Sequence, residues 1–387
     1  MVRQVDLWIR KGMVIDPARN LQEEADVFVQ GNRIVDVPPG ETVTAKKIID
    51  AAGLLVFPGL IDNHAHVFWG GTAIGIHPDS SCLPQGVTTV VDQGSAGINN
   101  FDEFARSIMQ FSQVRIFAYL HAAPAGLATL PYSMEAVNPK IFDGEAIDRL
   151  FRKYPHKLVG LKIRQSREVV GDLGLSPLTA MLDIANRLEE KPRIVVHTTN
   201  SPESAEKIAD LLRPNDIFAH VYQGKGSTIL DARGKVLPAV RAAKKRGVLF
   251  DTADGRGHYA FSVAKAALQD GFTPDILSTD LVKASAYDRS VFGLPLILTK
   301  YLNMGMPLYD IVKACTVTPA KTLNMEGEIG SLAPGAYADI ALFKLKETKF
   351  ALTDVFDKTL PCQKLLLPQL TVSDGQIVYA NFATVEK

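Results

Sequence analysis

The sequence predicts an α/β protein: a (β/α)8 TIM barrel with a small β-sandwich domain built from both chain ends. Three observations lead to this prediction. Between residues 54 and 329, short apolar runs alternate with helical segments. Both chain ends instead show short strand patterns separated by turn signals. Histidines and acidic residues follow several of the apolar runs, at the end of a barrel strand where active sites are built.

The two chain ends are predicted to form one domain. Residues 1–53 read as short strands and hairpins, with Gly31-Asn32 at the tip of one, and contain no catalytic pattern. Strand and turn character returns in residues 330–387. Because a few hairpins cannot bury a core of their own, we expect these two parts to pack together beside a barrel formed by residues 54–329.

The barrel strands are predicted from apolar runs that are short and nearly continuous, as expected of parallel strands buried on both faces. The eight runs are residues 54–61, 88–92, 115–120, 158–164, 193–197, 216–220, 248–251 and 275–280. The predicted helices are residues 101–110, 145–153, 178–190, 204–212, 237–246, 261–270, 294–303 and 308–323. An open doubly wound sheet is the alternative, but it would more often carry a glycine-rich phosphate loop after its first strand, which is missing here.

Composition excludes several function classes. The 42 Lys and Arg residues balance 42 Asp and Glu residues, so electrostatics gives no argument for binding nucleic acid or an anionic membrane. The three cysteines are scattered without a Cys-x-x-Cys pair, which favours a reducing compartment. The first six residues carry charges where a signal peptide needs an apolar core, and no apolar run is long enough to span a membrane. We therefore expect a cytoplasmic protein.

The first predicted strand ends in two histidines that could bind a metal ion. His64 and His66 are two residues apart, so in an extended chain both side chains point to the same face. A chance His-x-His pair is the plain alternative. Two histidines cannot complete a catalytic zinc site, which needs three protein ligands and an open position.

Further chemical groups fall at equivalent places on the other strands. Lys162 lies on the fourth strand, while His197 and His220 end the fifth and sixth. Asp251 ends the seventh strand and Asp280 the eighth. A single histidine at a strand end is more often an ordinary polar residue than a ligand, but this many groups at the same edge of a barrel predict one active site.

These residues stand in motifs that together resemble a known family. The motifs are residues 58–66 (Pro-Gly-Leu-Ile-Asp-Asn-His-Ala-His), 86–90, the Lys162 strand, the strand ends at His197 and His220, Ser278-Thr279-Asp280, and residues 316–320 and 330–340. The sequence is similar to the amidohydrolase superfamily of metal-dependent hydrolases, closest to its deacetylase-like and dihydroorotase-like binuclear group. The resemblance covers nearly the whole chain.

The resemblance implies a centre of two divalent metal ions. It implies that His64, His66 and Asp280 hold one ion, that His197 and His220 hold the other, and that Lys162, as N6-carboxylysine, bridges both. A buried lysine has a lowered pKa, and its neutral amine can react with carbon dioxide to give an anionic carbamate. Zinc is the expected metal, although imidazole and carboxylate ligands also suit Mn, Fe and Co.

The expected mechanism follows from that centre. Two ions about 3.5–4 Å apart can lower the pKa of a bridging water and polarise a carbonyl. Asp280 is then placed to act as the general base and acid, taking a proton from the resulting hydroxide and delivering it to the leaving group.

The substrate is expected to be a small molecule, and the local sequence favours an acyl hydrolase. Dihydroorotases usually carry an arginine where this chain has Phe68, whereas Gly160-Leu161-Lys162-Ile163-Arg164 looks most like the deacetylase-like group. That resemblance implies hydrolysis of an amide or ester bond in a small N-acyl or O-acyl acid, often an acetylated one. The candidate substrate contacts are Arg164, Tyr222 and His258, while Asp92 and His121 are expected to play supporting or structural roles.

Other functions remain as alternatives. The first is a cyclic-amide hydrolase of the hydantoinase, dihydropyrimidinase or dihydroorotase kind, which uses the same six ligands. A mononuclear deaminase usually lacks the bridging lysine, so Lys162 argues against it. Non-enzymatic binding relatives lose metal ligands, and this sequence keeps all six. From family habit, we expect a homodimer or a larger homo-oligomer.

Overall fold

The computed structural model describes residues 2–38, 40–287 and 291–381, and it contains two β-sheets. The first sheet has seven parallel strands that follow one another in chain order. They are β6 (Leu60–Ala65), β7 (Val87–Gln93), β8 (Arg115–His121), β9 (Leu158–Arg164), β10 (Arg193–His197), β11 (Ile217–Ala219) and β12 (Leu249–Asp251). Their registers align the strand ends, since His121 pairs with Lys162 and His197 with Arg164.

Residues 276–281 close the barrel, but they do so without a regular ladder. Ile276 forms a parallel bridge to Asp251, and Leu281 forms one to Ala65 of β6. Backbone hydrogen bonds from Asp280 to the His64 carbonyl (2.7 Å) and from His66 to the Leu281 carbonyl (3.0 Å) complete the junction. The predicted eighth strand is therefore present as an irregular segment, and the prediction of a barrel is confirmed.

The second sheet joins the two chain ends, as predicted. Its N-terminal strands are β1 (Val2–Asp16), β2 (Leu21–Gln30), β3 (Arg33–Val35), β4 (Thr42–Asp50) and β5 (Leu55–Pro58), and its C-terminal strands are β13 (Ile340–Thr353), β14 (Thr359–Ser373) and β15 (Gln376–Ala380). The order is β15-β14-β13-β5-β1-β2-β3, with β4 also paired to β1. A core that includes Ile9, Val29, Leu342 and Val372 binds both chain ends into one unit.

One predicted strand was wrong. Residues 54–61 do not form a single barrel strand, because β5 pairs with β1 and β13 of the second sheet, and only β6 enters the barrel. The chain changes sheets at Gly59, whose amide donates to the Asp339 carbonyl at 2.7 Å. A Cβ atom at Gly59 would lie 2.7 Å from the Asp339 Cβ and would also collide with Thr88, so only glycine fits this close approach.

The helices lie mainly outside the barrel strands. They are α1 (Pro78–Cys82), α2 (Phe101–Phe104), α3 (Gly144–Lys153), α4 (Arg167–Val170), α5 (Ser176–Arg187), α6 (Ala205–Leu211), α7 (Pro238–Arg246), α8 (Phe261–Gln269), α9 (Leu294–Asn303), α10 (Leu308–Ala314) and α11 (Val317–Thr322). The helix predicted over residues 308–323 is broken, since Thr316 leaves helical geometry (φ −134°) between α10 and α11. Within the described ranges, no helix has the length and apolar character needed to cross a membrane.

Candidate metal centre

A cavity of about 180 Å³ opens at the carboxyl ends of the barrel strands. Its lining comprises His64, His66, Ile74, Gln93, His121, Leu127, Leu130, Glu135, Lys162, Arg164, His197, Arg256, His258, Asp280 and Val282. A larger hollow of about 560 Å³ opens at the opposite end of the strands, beside Leu158 and Arg193, and its lining contains none of the predicted ligands. The small cavity is therefore the candidate functional site.

The first group of candidate ligands consists of His64, His66 and Asp280. One ligand atom from each lies within 4.8 Å of the others, and all three side chains are buried. Asp280 Oδ1 lies 3.3 Å from His66 Nε2 and 3.6 Å from His64 Nε2. Two imidazoles and a carboxylate arranged in this way fit a divalent ion such as zinc.

The second group consists of His197, His220 and His258, again within 4.8 Å of one another. The His197 and His220 ring centroids are 4.1 Å apart. Within the described residues, Nε2 of each of these two rings is buried and has no hydrogen-bond partner. Because a buried polar atom without a partner is costly, these nitrogens fit a metal ion as the missing partner.

Lys162 contacts the first group and lines the same cavity as His197 and His258 of the second. Its Nζ lies 3.2 Å from His64 Nε2, and the residue is only 4% exposed. Burial lowers the pKa of Lys162 to about 8, against the opposing influence of the Asp280 and Asp251 carboxylates. The amine is therefore neutral in a substantial fraction of molecules near pH 8, which is the form that reacts with carbon dioxide.

Hydrogen bonds to the Nδ1 atoms of two histidines fix the orientation of their rings. His220 Nδ1 lies 2.7 Å from the Ala253 carbonyl oxygen. A carbonyl can only accept, so Nδ1 carries the proton and Nε2 of the neutral ring keeps its lone pair. His66 Nδ1 lies 3.0 Å from Ser95 Oγ, a hydroxyl that can donate or accept, and its Nε2 faces Asp280 at 3.3 Å. Both rings therefore direct their second nitrogen toward the centre.

Buried carboxylates stabilise the ends of the strands that carry these rings. Asp92 accepts hydrogen bonds from the Val67 amide (2.8 Å) and the Ser95 amide (2.7 Å), which agrees with its predicted supporting role. Asp62 accepts from the Thr279 hydroxyl at 2.6 Å and so connects β6 to the segment carrying Asp280.

The charge states of the candidate ligands also fit a metal ion. Burial lowers the pKa values of His64, His197 and His220 well below 6.5, so these rings are neutral at physiological pH. Burial alone would raise the pKa of Asp280, but the hydrogen bond from His66 and the neighbouring histidines outweigh it and hold the pKa at about 2. Neutral imidazoles and an ionised carboxylate are the forms that bind metal.

The predicted substrate contact Arg164 lines the cavity, but its guanidinium group already forms ion pairs with two acidic side chains. Arg164 lies 3.2 Å from Glu135 and 2.9 Å from Glu168. Sequence reasoning missed Glu135, which lies in a turn-rich loop without periodicity, although its side chain is fully buried in the cavity wall.

His121 also lines the cavity, and its Nδ1 accepts a hydrogen bond from the Ala123 amide at 2.9 Å.

Tyr222 was wrongly predicted as a substrate contact. It is fully buried in the apolar core, and its hydroxyl donates to the Phe272 carbonyl at 3.0 Å. The prediction assumed that residues 220 and 222 share one face of a strand. His220 has a φ of +61°, and β11 already ends at Ala219, so the alternation of side chains breaks between the two residues. His258, in contrast, lies in the cavity wall, and its role as a substrate contact stays a prediction.

Several known proteins are similar to this chain in sequence and in fold. The model of the amidohydrolase family matches residues 260–378. A deacetylase of Agrobacterium fabrum is 32% identical over 334 residues, which cover 86% of this chain and 81% of that protein. A crystal structure described as an adenine deaminase superimposes with a TM-score of 0.89 at 27% identity, covering 97% of this chain and 100% of the other. A crystal structure described as a dihydroorotase gives a TM-score of 0.83 at 28% identity, covering 98% of each chain.

Proposed function

Because this chain belongs to the amidohydrolase family, we propose that it is a binuclear metal-dependent hydrolase that removes an acyl group, expected to be acetyl, from a small N-acyl or O-acyl acid. The observation that carries the proposal is that Lys162 and the members of both groups other than His220 line one cavity, with His220 within 4.8 Å of His197 and His258. The sequence identity of 32% with a deacetylase supports the acyl substrate.

In this proposal, Lys162 and Asp280 have different chemical roles. Two divalent ions held by this centre would supply an activated water and a polarised acyl carbonyl. For Lys162, carboxylation joins the neutral amine nitrogen to the carbon of carbon dioxide and releases one proton to solvent. The resulting carbamate carries one negative charge and can bridge two cations. Asp280 then accepts the proton of the attacking water and delivers it to the departing nitrogen or oxygen, so that water and acylated substrate yield the carboxylic acid and the free amine or alcohol.

The wall around Arg164 is the part that would bind the rest of the substrate. Glu135 and Glu168 lie 3.2 Å and 2.9 Å from this guanidinium, so a substrate carboxylate would have to displace at least one of them to pair with it. Guanidinium groups bind carboxylates in a planar, two-point geometry, which suits Arg164 to such a substrate group. Leu127 and Leu130 provide the apolar part of the same wall.

A cyclic-amide hydrolase is the second candidate, favoured by the structural similarity to a dihydroorotase. The position of Phe68 weighs against it. Phe68 is 3% exposed and packs on Phe104 with ring centroids 4.9 Å apart, so it provides no cation for a substrate carboxylate. The similarity to an adenine deaminase also raises deamination, but a mononuclear deaminase would not need Lys162 in the centre.

The first experiment is elemental analysis of protein produced with zinc and bicarbonate, followed by a screen of N-acetyl and O-acetyl acids for acetate release. About two ions per chain and acetate release would support the proposal. The same assay with Asp280→Asn protein controls for contaminating hydrolases. Ring opening of hydantoins or dihydropyrimidines without acetate release from any acylated acid would favour the second candidate, and ammonia release from purines would favour deamination.

A further inference from the structure

The three histidines of the second group lie close together. The His258 ring centroid is 4.7 Å from that of His197 and 4.4 Å from that of His220. The resemblance to the family assigned only His197 and His220 to this ion, with the modified lysine as the other ligand. We propose that His197, His220 and His258 together bind a divalent transition-metal ion without carboxylation of Lys162.

Unsatisfied nitrogens on all three rings support a metal ligand set. Within the described residues, His197 Nε2, His220 Nε2 and His258 Nδ1 are buried and lack hydrogen-bond partners. A nitrogen from each ring lies within 4.8 Å of the others. Three neutral imidazoles with an open fourth position are a known ligand set of catalytic zinc, so the group is chemically complete without a carbamate.

Buried contacts of Asp254 hold the loop that carries His258 in place. Asp254 is fully buried and lies 2.7 Å from the Lys300 ammonium, which is itself 1% exposed. The Tyr301 hydroxyl donates to the same carboxylate at 3.2 Å. Asp254 follows Ala253, whose carbonyl accepts from His220, so one short segment orients His220 and presents His258.

Glycine allows this loop to approach the first group of ligands closely. Gly255 has a φ of +56°, and a Cβ atom there would collide with Asp280 and His258. Its amide donates to the Thr279 carbonyl at 2.9 Å, which connects the loop to the segment carrying Asp280. The approach brings His258 Nε2 to 3.6 Å from Asp280 Oδ2, so this member of the second group lies beside the first group.

With such a site, one metal ion would bind before Lys162 is carboxylated. Carbamate formation on lysine is reversible, and an anionic carbamate is stabilised by cations beside it. An ion already bound by three histidines provides one such cation before carbon dioxide arrives. The inference deepens the proposed function, since it concerns the second ion of that centre, but metal binding can be measured without any substrate.

The test uses a Lys162→Ala/His66→Ala background, which removes the carbamate and one ligand of the first group. Metal-free protein in buffer depleted of carbon dioxide is titrated with Co²⁺ and followed by visible absorption and elemental analysis. We expect one ion per chain. Adding His258→Ala should weaken binding more than tenfold, because loss of a hydrogen-bond partner of a ligand already costs about 10–100-fold. Adding His121→Ala, a buried histidine of the same cavity outside the group, should leave affinity unchanged.

The proposal is overturned if the background binds no Co²⁺, or if His258→Ala binds it as tightly as the background does. Circular dichroism verifies that each variant folds. If the combined variants do not fold, wild-type and single His258→Ala proteins are compared in the same depleted buffer, where the variant should lose affinity for one of two ions. Equal affinities would again overturn the proposal. Acetate release in bicarbonate tests the proposed function separately. The three-histidine site and the proposed function can therefore fail independently.

Discussion

Lys162 Nζ lies 3.2 Å from His64 Nε2, which places this lysine of the cavity wall against a candidate ligand of the first group. The lysine is 4% exposed, and its own strand, β9, holds it between β8 and β10. A charged ammonium here would face neutral imidazoles at the distance of a hydrogen bond. A carbamate would instead supply negatively charged oxygen ligands for metal ions held by this centre.

Lys162→Ala should therefore abolish turnover and lower the metal content when metal is limiting. Short carboxylic acids such as acetate or propionate should restore part of the activity, because their carboxylate can stand in for the carbamate. Steady-state rates with and without added acid, together with metal analysis, measure both effects. The matched control is Lys157→Ala, an exposed lysine just before β9, which should leave the rate unchanged. Wild-type activity in the Lys162→Ala protein would remove the carbamate from the mechanism.

Asp280→Asn should keep much of the bound metal but lose about 10²–10⁴-fold in turnover, the range that a positioned general acid or base contributes. The amide oxygen can still face His66, whereas the amide cannot accept the proton of the attacking water. Metal per chain and kcat on the same preparation separate binding from chemistry. Asp310→Asn, an exposed aspartate of α10, serves as the control. Turnover near wild type in Asp280→Asn would exclude Asp280 as the proton carrier.

Acid should release the metal only well below pH 6.5. Burial lowers the pKa values of His64, His197 and His220 from 6.5, so protons compete with metal for these rings only at lower pH. The same shifts predict that metal-free protein loses stability as the pH falls below 6.5, because the unfolded chain then binds protons that the folded chain excludes.

Both effects can be measured on one preparation. Metal retained after equilibration with a weak chelator across a pH series gives the release midpoint, and urea unfolding of metal-free protein gives the stability. A release midpoint at or above pH 6.5 would contradict the lowered pKa values. Stability of the metal-free protein that rises on acidification through pH 6.5 would contradict them as well.

The convergence of the candidate ligands was predictable, because it depends on one geometric fact. Parallel strands begin and end together, so groups at equivalent places on their carboxyl ends meet at one edge of the sheet. His66 and His197 lie far apart in sequence, yet both line the same cavity. No side-chain packing had to be known to expect this.

What sequence reasoning missed depends on backbone conformation or on tertiary contacts. The positive φ of His220 turns Tyr222 away from the cavity, and residue type alone does not signal that conformation at a histidine. The apolar run over residues 54–61 contains the turn signal Pro58-Gly59, but that dipeptide does not tell which sheet each half of the run joins. Glu135 lies in a long turn-rich loop, and its burial follows only from its contact with Arg164.

The buried ion pair behind the His258 loop gives a last prediction. Lys300 and Asp254 are 2.7 Å apart with side chains that are 1% and 0% exposed. The Lys300 ammonium also lies 4.2 Å from the centre of the Tyr259 ring, where a cation–π contact adds to the pair. Lys300→Ala leaves the Asp254 charge buried without this partner, which costs about 3–5 kcal/mol in comparable cases.

We therefore expect Lys300→Ala to lower the free energy of unfolding by about 3–5 kcal/mol in urea titrations. The matched control is Lys321→Ala, which breaks an exposed pair with Glu326 (side chains 55% and 66% exposed) and should cost no more than about 1 kcal/mol. Replacing both partners, as Asp254→Asn/Lys300→Met, should recover part of the loss, because no unpaired charge then remains buried. If Lys300→Ala and Lys321→Ala cost the same, the buried pair does not hold the loop, and the orientation of His258 must then come from Gly255 and the Thr279 carbonyl.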